Sequence, residues 1–214
     1  MNRFIARQPI FDTNNNVYGY ELLYREGARN CYVGENSGGR ADANSSSLIV
    51  DIRRVGLRAL TDGKKAFVNF TDTLILSEAG AEAAFANEDI VAEVLESVLP
   101  TAEVVRACRG LKRARYQIAL DDFEYSREYA PLIELADIVK IDFLAEPPAR
   151  IARAARLTRL ANPRARLLAE KVETRQMYEL ARELGFAYFQ GYFLSKPVIL
   201  EARKKKKSEA GFEV

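Results

Sequence analysis

The sequence predicts an α/β fold, a TIM-like (β/α)8 barrel with one antiparallel strand near the N-terminus. Three observations carry that prediction. From residue 66 onward, short apolar runs alternate with amphipathic segments, and parallel strands need such crossover connections. The candidate strands number eight, beginning near residues 3, 17, 66, 90, 117, 138, 166 and 188, which suits closure into a barrel. The first two are separated only by a turn-rich TNNN, so one of them should run against the rest. An open doubly wound sheet is the alternative, but no GxGxxG or other Gly-rich phosphate turn follows the first strand. At 214 residues the barrel would be compact beside a typical ~250.

RFIARQPIFD (3–12) and VYGYELLYR (17–25) read as a hairpin, and the Gly-, Asn- and Ser-rich stretch 26–44 as a long loop. A helix can start at Ser45–Ser47, with Leu48, Ile52, Val55 and Ala59 at helical spacing. AFVNF (66–70) is a strand, a helix is expected from about Leu74 to Ala86, and IVAEV (90–94) is a strand. Thr101 can cap a helix that turns Val104, Cys108 and Leu111 to one face. QIALDD (117–122) is a strand, followed by a short helix to about Leu135 and the strand IVKID (138–142). Pro147-Pro148 suits the start of a helix that buries Ile151, Ala154 and Leu157. RLLAEKV (166–172) is a strand. Thr174 can cap a helix that buries Met177, Leu180 and Leu184 and stops at Gly185. YFQGYF (188–193) is the last strand, and residues 204–214 form a lysine-rich tail or truncated linker behind a domain spanning 1–203.

Composition narrows the chemistry. Apolar residues at 48 %, charged residues at 29 % and a net charge of +2 describe an ordinary globular chain and argue against whole-surface nucleic-acid binding. No apolar run approaches the ~20 residues of a membrane span and no signal peptide opens the chain, so a cytoplasmic location is expected. Cys31 and Cys108 lie far apart without a CxxC, which indicates neither a zinc site nor a disulfide framework. There is no histidine, which excludes Ser-His-Asp, Cys-His and His-metal sites. A metal site built from what remains would be rich in oxygen ligands and favour Mg²⁺, Mn²⁺ or Ca²⁺.

A barrel gathers its active site at the C-terminal ends of its strands. Those ends carry, in order, Glu21, Asn69, Glu93, the adjacent pair Asp121 and Asp122, Lys140, Glu170 and Gln190. Each interrupts an apolar strand. Any one alone reads equally well as an exposed or salt-bridged position, but the series does not. Bare carboxylates so clustered repel one another or take up protons, and a divalent ion relieves both. Two hard ions ~4 Å apart suit in-line displacement at phosphorus. Lys140 would then stabilise negative charge or hold the attacking water, and Glu170 could accept its proton.

These residues resemble a known family. ARQPIFD, Glu21-Leu22-Leu23 with Arg25 after it, FVNF, AEVLES, LDDF, VKID, AEKVET and FQGYFLSKP are similar, in order and interval, to the motifs of EAL-type cyclic-di-GMP phosphodiesterase domains. The resemblance covers roughly residues 5–197 and is closest to the branch fused to a C-terminal HDOD domain, which is absent from this chain. It implies a bacterial signalling hydrolase that converts cyclic di-GMP to linear pGpG with Mg²⁺ or Mn²⁺, with room for two ions and for a homodimer. By motif, Glu21, Asn69, Glu93, Asp121 and Asp122 look like metal ligands, while Lys140, Glu170 and Gln190 look catalytic. Gln8, Leu23 and Arg25 would touch the nucleotide, and Glu173 would steady the loop after Asp122.

Two departures bear on activity. Leu22 replaces the alanine of the naming motif and adds bulk beside Glu21. Glu124-Tyr125-Ser126-Arg127 stands where the family has a glycine-containing loop, and glycine permits backbone conformations that these residues disfavour. They keep open a degenerate domain that binds cyclic di-GMP without cutting it, or a scaffold acting only through protein contacts.

Overall fold

A computed structural model of the chain describes residues 4–25, 45, 48–50, 52, 54–77, 89–123 and 126–201; the side chains of Arg25 and Glu201 lie outside that description. Strands β1 (Phe4–Asp12), β2 (Val17–Arg25), β3 (Lys65–Phe70), β4 (Ile90–Val94), β5 (Gln117–Leu120), β6 (Ile138–Asp142), β7 (Arg166–Glu170) and β8 (Tyr188–Phe189) follow one another round a closed barrel. β2 through β8 pair in parallel, and β1 closes the ring antiparallel to both β2 and β8. The early hairpin thus supplies the one reversed strand.

Its turn is made by Asp12, whose Oδ1 accepts the N–H groups of Asn14 and Asn16, both at 2.8 Å. Asn15 takes the left-handed conformation at φ 60°, which asparagine tolerates. A ninth strand, β9 (Val198–Glu201), was not expected from sequence. It pairs antiparallel with Phe4–Arg7, continuing along the edge of β1 that β8 starts at Phe11 and Asp12. Between them the ladder is broken opposite Gln8, Pro9 and Ile10, where Pro9 has no N–H to give. The expected strand 188–193 therefore ends at Phe189.

The helices lie outside the sheet: α1 (Leu57–Thr61), α2 (Asp72–Leu76), α3 (Ala102–Arg113), α4 (Ala130–Ile133), α5 (Pro148–Ala161) and α6 (Arg175–Glu183). Residues 45, 48–50, 52, 54 and 55 are helical as well. Thr71, Thr101 and Thr174 cap α2, α3 and α6, each hydroxyl accepting an N–H three residues on, a contact worth about 1 kcal/mol. Pro148 begins α5 and Gly185, at φ 73°, follows the end of α6, as expected. Helix α2 is shorter than the expected 74–86, and residues 78–88 lie outside the described set. Among the described residues no helix is long and apolar enough to cross a membrane.

Two apolar layers result from the period of two along each strand. Ile5, Leu22, Val68, Phe70, Ala92, Leu120, Val139, Ile141 and Ala169 face outward and meet helix residues such as Val104, Cys108, Leu132 and Ile151. Ile10, Phe67, Val91, Ala119, Ile138, Leu168 and Tyr188 point inward and plug the barrel, with Tyr18 packed against them. Tyr18 stacks on Tyr188 at 4.2 Å and donates to Gln117 Oε1 at 3.1 Å.

Candidate active site

The inward layer continues by the same alternation. Two residues beyond Phe67, Val91, Ala119, Ile138, Leu168 and Tyr188 come Asn69, Glu93, Asp121, Lys140, Glu170 and Gln190. On β1, which runs the other way, the step back from Ile10 leads to Gln8. On β2 the register shifts between Ile10 and Phe11, leaving Tyr18 unpaired. That bulge changes the parity of the strand, so Tyr18 and Glu21 both face inward. One apolar plug therefore carries a ring of polar groups above it.

Lys140 lies at the centre of the ring and is only 1 % exposed. Its Nζ meets Glu93 Oε1 at 2.5 Å, Asp121 Oδ1 at 2.5 Å and Glu170 Oε1 at 2.8 Å. Gln190 Nε2 donates to Glu21 Oε2 at 2.5 Å. Gln8 Nε2 donates to the Ser195 carbonyl at 3.3 Å. Backbone bonds lock the strand tips together: Asp121 N–H to Val94 O, Phe123 N–H to Lys140 O, Phe143 N–H to Glu170 O, and Val172 N–H to Gln190 O. Gly191 makes the last of these possible. At φ 153°, a Cβ on it would lie 2.2 Å from both the N and the O of Val172.

The charges are strongly perturbed. Burial pushes the Glu93 and Glu170 carboxyls well above the usual range; Lys140 opposes that push, and neighbouring carboxylates reinforce it. Burial also disfavours the Lys140 ammonium, but Asp121, Glu170, Glu93 and Glu21 outweigh it and hold the group charged. Glu93 Oε2 and Gln190 Oε1 are buried with no hydrogen-bond partner among the described residues. Oxygens of Asp121, Asp122 and Glu170 lie within 4.8 Å of one another. Buried, unpartnered oxygens beside converging carboxylates fit a hard divalent cation.

A second cation, missed in the sequence reading, stands at the rim. Lys171 Nζ contacts Asp122 Oδ2 at 3.0 Å and Asp142 Oδ2 at 2.5 Å. The strands β5 and β7 stop two residues sooner than expected, at Leu120 and Glu170. Asp122 and Lys171 then take left-handed backbone at φ 41° and 52°, so strand alternation no longer sets their direction. Burial disfavours the Lys171 ammonium, and Asp142 and Asp122 more than restore it. Asp142 was legible: it lies two residues past Lys140 on the same strand face.

Leu23 is half-buried on β2, two residues past Glu21. Arg25 ends β2, and its side chain is outside the described set. Glu173 is exposed and makes no hydrogen bond or ion pair among the described residues; Glu124 and Tyr125, in the loop it was expected to steady, are not described. Leu22 is 1 % exposed and packs in the outer apolar layer, so its bulk is accommodated away from Glu21. A cavity of about 390 Å³ adjoins the rim, lined by Asp122, Phe123, Asp142, Arg150 and Arg153 among others.

Comparison with known proteins identifies the family and the fold. The EAL domain family matches residues 2–197. The chain belongs to the EAL domain family. This EAL domain is 38 % identical over 209 residues to the uncharacterized protein YuxH of Bacillus subtilis, covering 94 % of this chain and 48 % of YuxH. It is 34 % identical over 201 residues to the cyclic di-GMP phosphodiesterase CdgJ of Vibrio cholerae, covering 94 % of this chain and 45 % of CdgJ. The chain thus spans about half the length of these relatives. Among solved structures it is similar to the EAL-domain protein YkuI of Bacillus subtilis in complex with cyclic di-GMP and calcium, with a TM-score of 0.71 at 21 % identity over 90 % of this chain and 55 % of that one. The PaMucR phosphodiesterase in complex with cyclic di-GMP gives 0.71 at 22 % identity over 91 % of this chain and 96 % of that one. These structural likenesses bear on the fold, which they share.

Proposed function

We propose that this EAL domain is a metal-dependent phosphodiesterase that hydrolyses cyclic di-GMP to linear pGpG. The observation that carries the reading is the ring itself: Glu93, Asp121 and Glu170 converge on the buried ammonium of Lys140, with Glu21 and Gln190 beside them. Glu21, Asn69, Glu93, Asp121 and Asp122 would hold Mg²⁺ or Mn²⁺. Bound there, the ion supplies a Lewis acid for the phosphoryl oxygens and lowers the pKa of water.

The chain's own residues do the rest. Lys140 keeps its charge and offsets negative charge developing at phosphorus. Glu170, whose raised pKa makes its carboxylate a stronger base, takes the proton of the attacking water. Water oxygen bonds to phosphorus, the bond from phosphorus to the 3′ oxygen breaks, and that oxygen takes up a proton. Gln190 orients Glu21 through its amide. Gln8, Leu23 and Arg25 would line the nucleotide, and Glu173 would support the loop after Asp122.

The alternative, binding without turnover, is favoured by one observation. Asp122 has left-handed backbone and is already engaged by Lys171. Incubation with cyclic di-GMP and Mn²⁺, followed by chromatography, separates the two. The proposed function expects pGpG from the wild type and none from Glu21→Ala. Intact nucleotide after incubation with both Mg²⁺ and Mn²⁺ refutes the hydrolase. Calorimetry in Ca²⁺ then tells a binding domain from a scaffold.

A further inference from the structure

We propose that Lys171 is a built-in counter-cation that fills the outer half of the site, so that a second divalent ion enters only by displacing it. The inference rests on the metal-dependent reading above and goes beyond it by naming the residue that sets the metal count.

Lys171 Nζ reaches Asp122 Oδ1 at 3.3 Å, Asp122 Oδ2 at 3.0 Å and Asp142 Oδ2 at 2.5 Å. It therefore bridges two carboxylates from different strand ends, as a divalent ion would. Asp142 is fixed for the purpose, since its Oδ1 accepts the N–H groups of Leu144 at 2.6 Å and Ala145 at 3.0 Å. Asp122 is shared: its carboxylate faces Lys171 and also lies in the group formed with Asp121 and Glu170. Both Asp122 and Lys171 hold left-handed backbone, which L-residues avoid unless their surroundings impose it.

The inner half differs. Its cation, Lys140, is 1 % exposed and is enclosed by Glu93, Asp121 and Glu170. The Lys171 side chain is 46 % exposed and can swing into solvent. The buried, unpartnered Glu93 Oε2 marks the inner half as the place where one ion gains most. The second ion competes with two ion pairs, at least one of them half-exposed, together worth about tenfold in affinity.

The test is Mn²⁺ binding to the chelator-stripped chain without nucleotide, read by the electron paramagnetic resonance signal of free Mn²⁺. Lys171→Gly removes the ammonium at a φ that glycine adopts freely, and circular dichroism checks that it folds. Lys171→Arg keeps the charge. The wild type should take one ion tightly and a second about tenfold or more weakly. Lys171→Gly should bind the second about tenfold more tightly, and Lys171→Arg should resemble the wild type. Equal second-ion affinity in wild type and Lys171→Gly overturns the role of Lys171 while leaving the first ion, and so the metal-dependent reading, intact. No Mn²⁺ binding by any of the three overturns that reading and this inference with it.

Discussion

Replacing Lys140 with methionine is the most informative perturbation of the ring. Methionine keeps much of the apolar stem and removes the ammonium that Glu93, Asp121 and Glu170 share. Breaking a buried ion pair by deleting one partner costs about 3–5 kcal/mol. That figure does not triple here. Glu93 and Glu170 have pKa values already raised and can shed charge by protonation, and Asp121 is 15 % exposed and reaches solvent. At pH 8 in chelator the loss should therefore be about 3–5 kcal/mol, a large share of the 5–15 kcal/mol typical of a folded domain. For a chain of this size it corresponds to a Tm lower by roughly 6–20 °C.

The pH dependence supplies the sign. A carboxyl whose folded pKa is raised contributes stability below its unfolded pKa and loses it as pH rises through the folded value. Removing Lys140 takes away the group that opposes the upward shift of Glu93 and Glu170, so the two carboxyls keep their protons more readily toward acid pH and the deficit against wild type should be smaller at pH 5 than at pH 8. Saturating Mn²⁺ at pH 8 should also restore stability by replacing the missing positive charge. Urea denaturation at both pH values, with chelator and with Mn²⁺, measures all of this. An unchanged midpoint at pH 8 in chelator, or a deficit as large at pH 5, refutes the electrostatic account.

Three further outcomes follow from the geometry. In the metal-free wild type, Tm should fall as pH rises above the ordinary glutamate range, because the unfolded chain then releases protons that Glu93 and Glu170 retain in the fold, and saturating divalent ion should flatten the slope; identical slopes with and without metal would contradict this. Gly191→Ala should lose about 3 kcal/mol or more and weaken cyclic di-GMP binding, since its Cβ would sit 2.2 Å from the Val172 backbone; a melting curve equal to wild type would be the contrary result. Cys108 is fully buried and its thiol is pushed up to about 11, so iodoacetamide at pH 8 should leave it unmodified until urea is added, as peptide mass spectrometry can check; native alkylation at Cys108 would show that α3 opens readily.

How much of this was legible depended on whether alternation along a strand decided the position. Asn69, Glu93, Lys140 and Glu170 follow inward apolar residues at a step of two, so a correct register brings them together. Thr101, Thr174, Pro148 and Gly185 mark helix ends by local chemistry and were readable for that reason. What failed was non-local. Strand β9 exists only because the distant edge of β1 is free to pair with it, and a four-residue run after Pro197 carries no sign of that. The expected last strand runs four residues past the observed one, because at Gly191 the chain leaves the ladder to pass against Val172. Lys171 was read into a strand whose alternation would turn it away from Glu170, and its positive φ reverses that direction.

The sequence located doubt about turnover in Glu124 and Tyr125, which replace a glycine-containing loop. The described residues move the question one step upstream, to Asp122, and across the rim to Lys171. The two halves of the site are built by different means. The inner half follows from strand parity and fully buried charges, so a change at Glu93 or Lys140 alters folding and chemistry together. The outer half rests on two left-handed residues and a half-exposed lysine, so it can change with little effect on the barrel. Lys171→Gly should accordingly shift metal binding while altering stability by no more than about 1 kcal/mol. On the proposed function, a change in the outer half alone would therefore separate binding of the nucleotide from its cleavage, with Glu93 and Lys140 still in position.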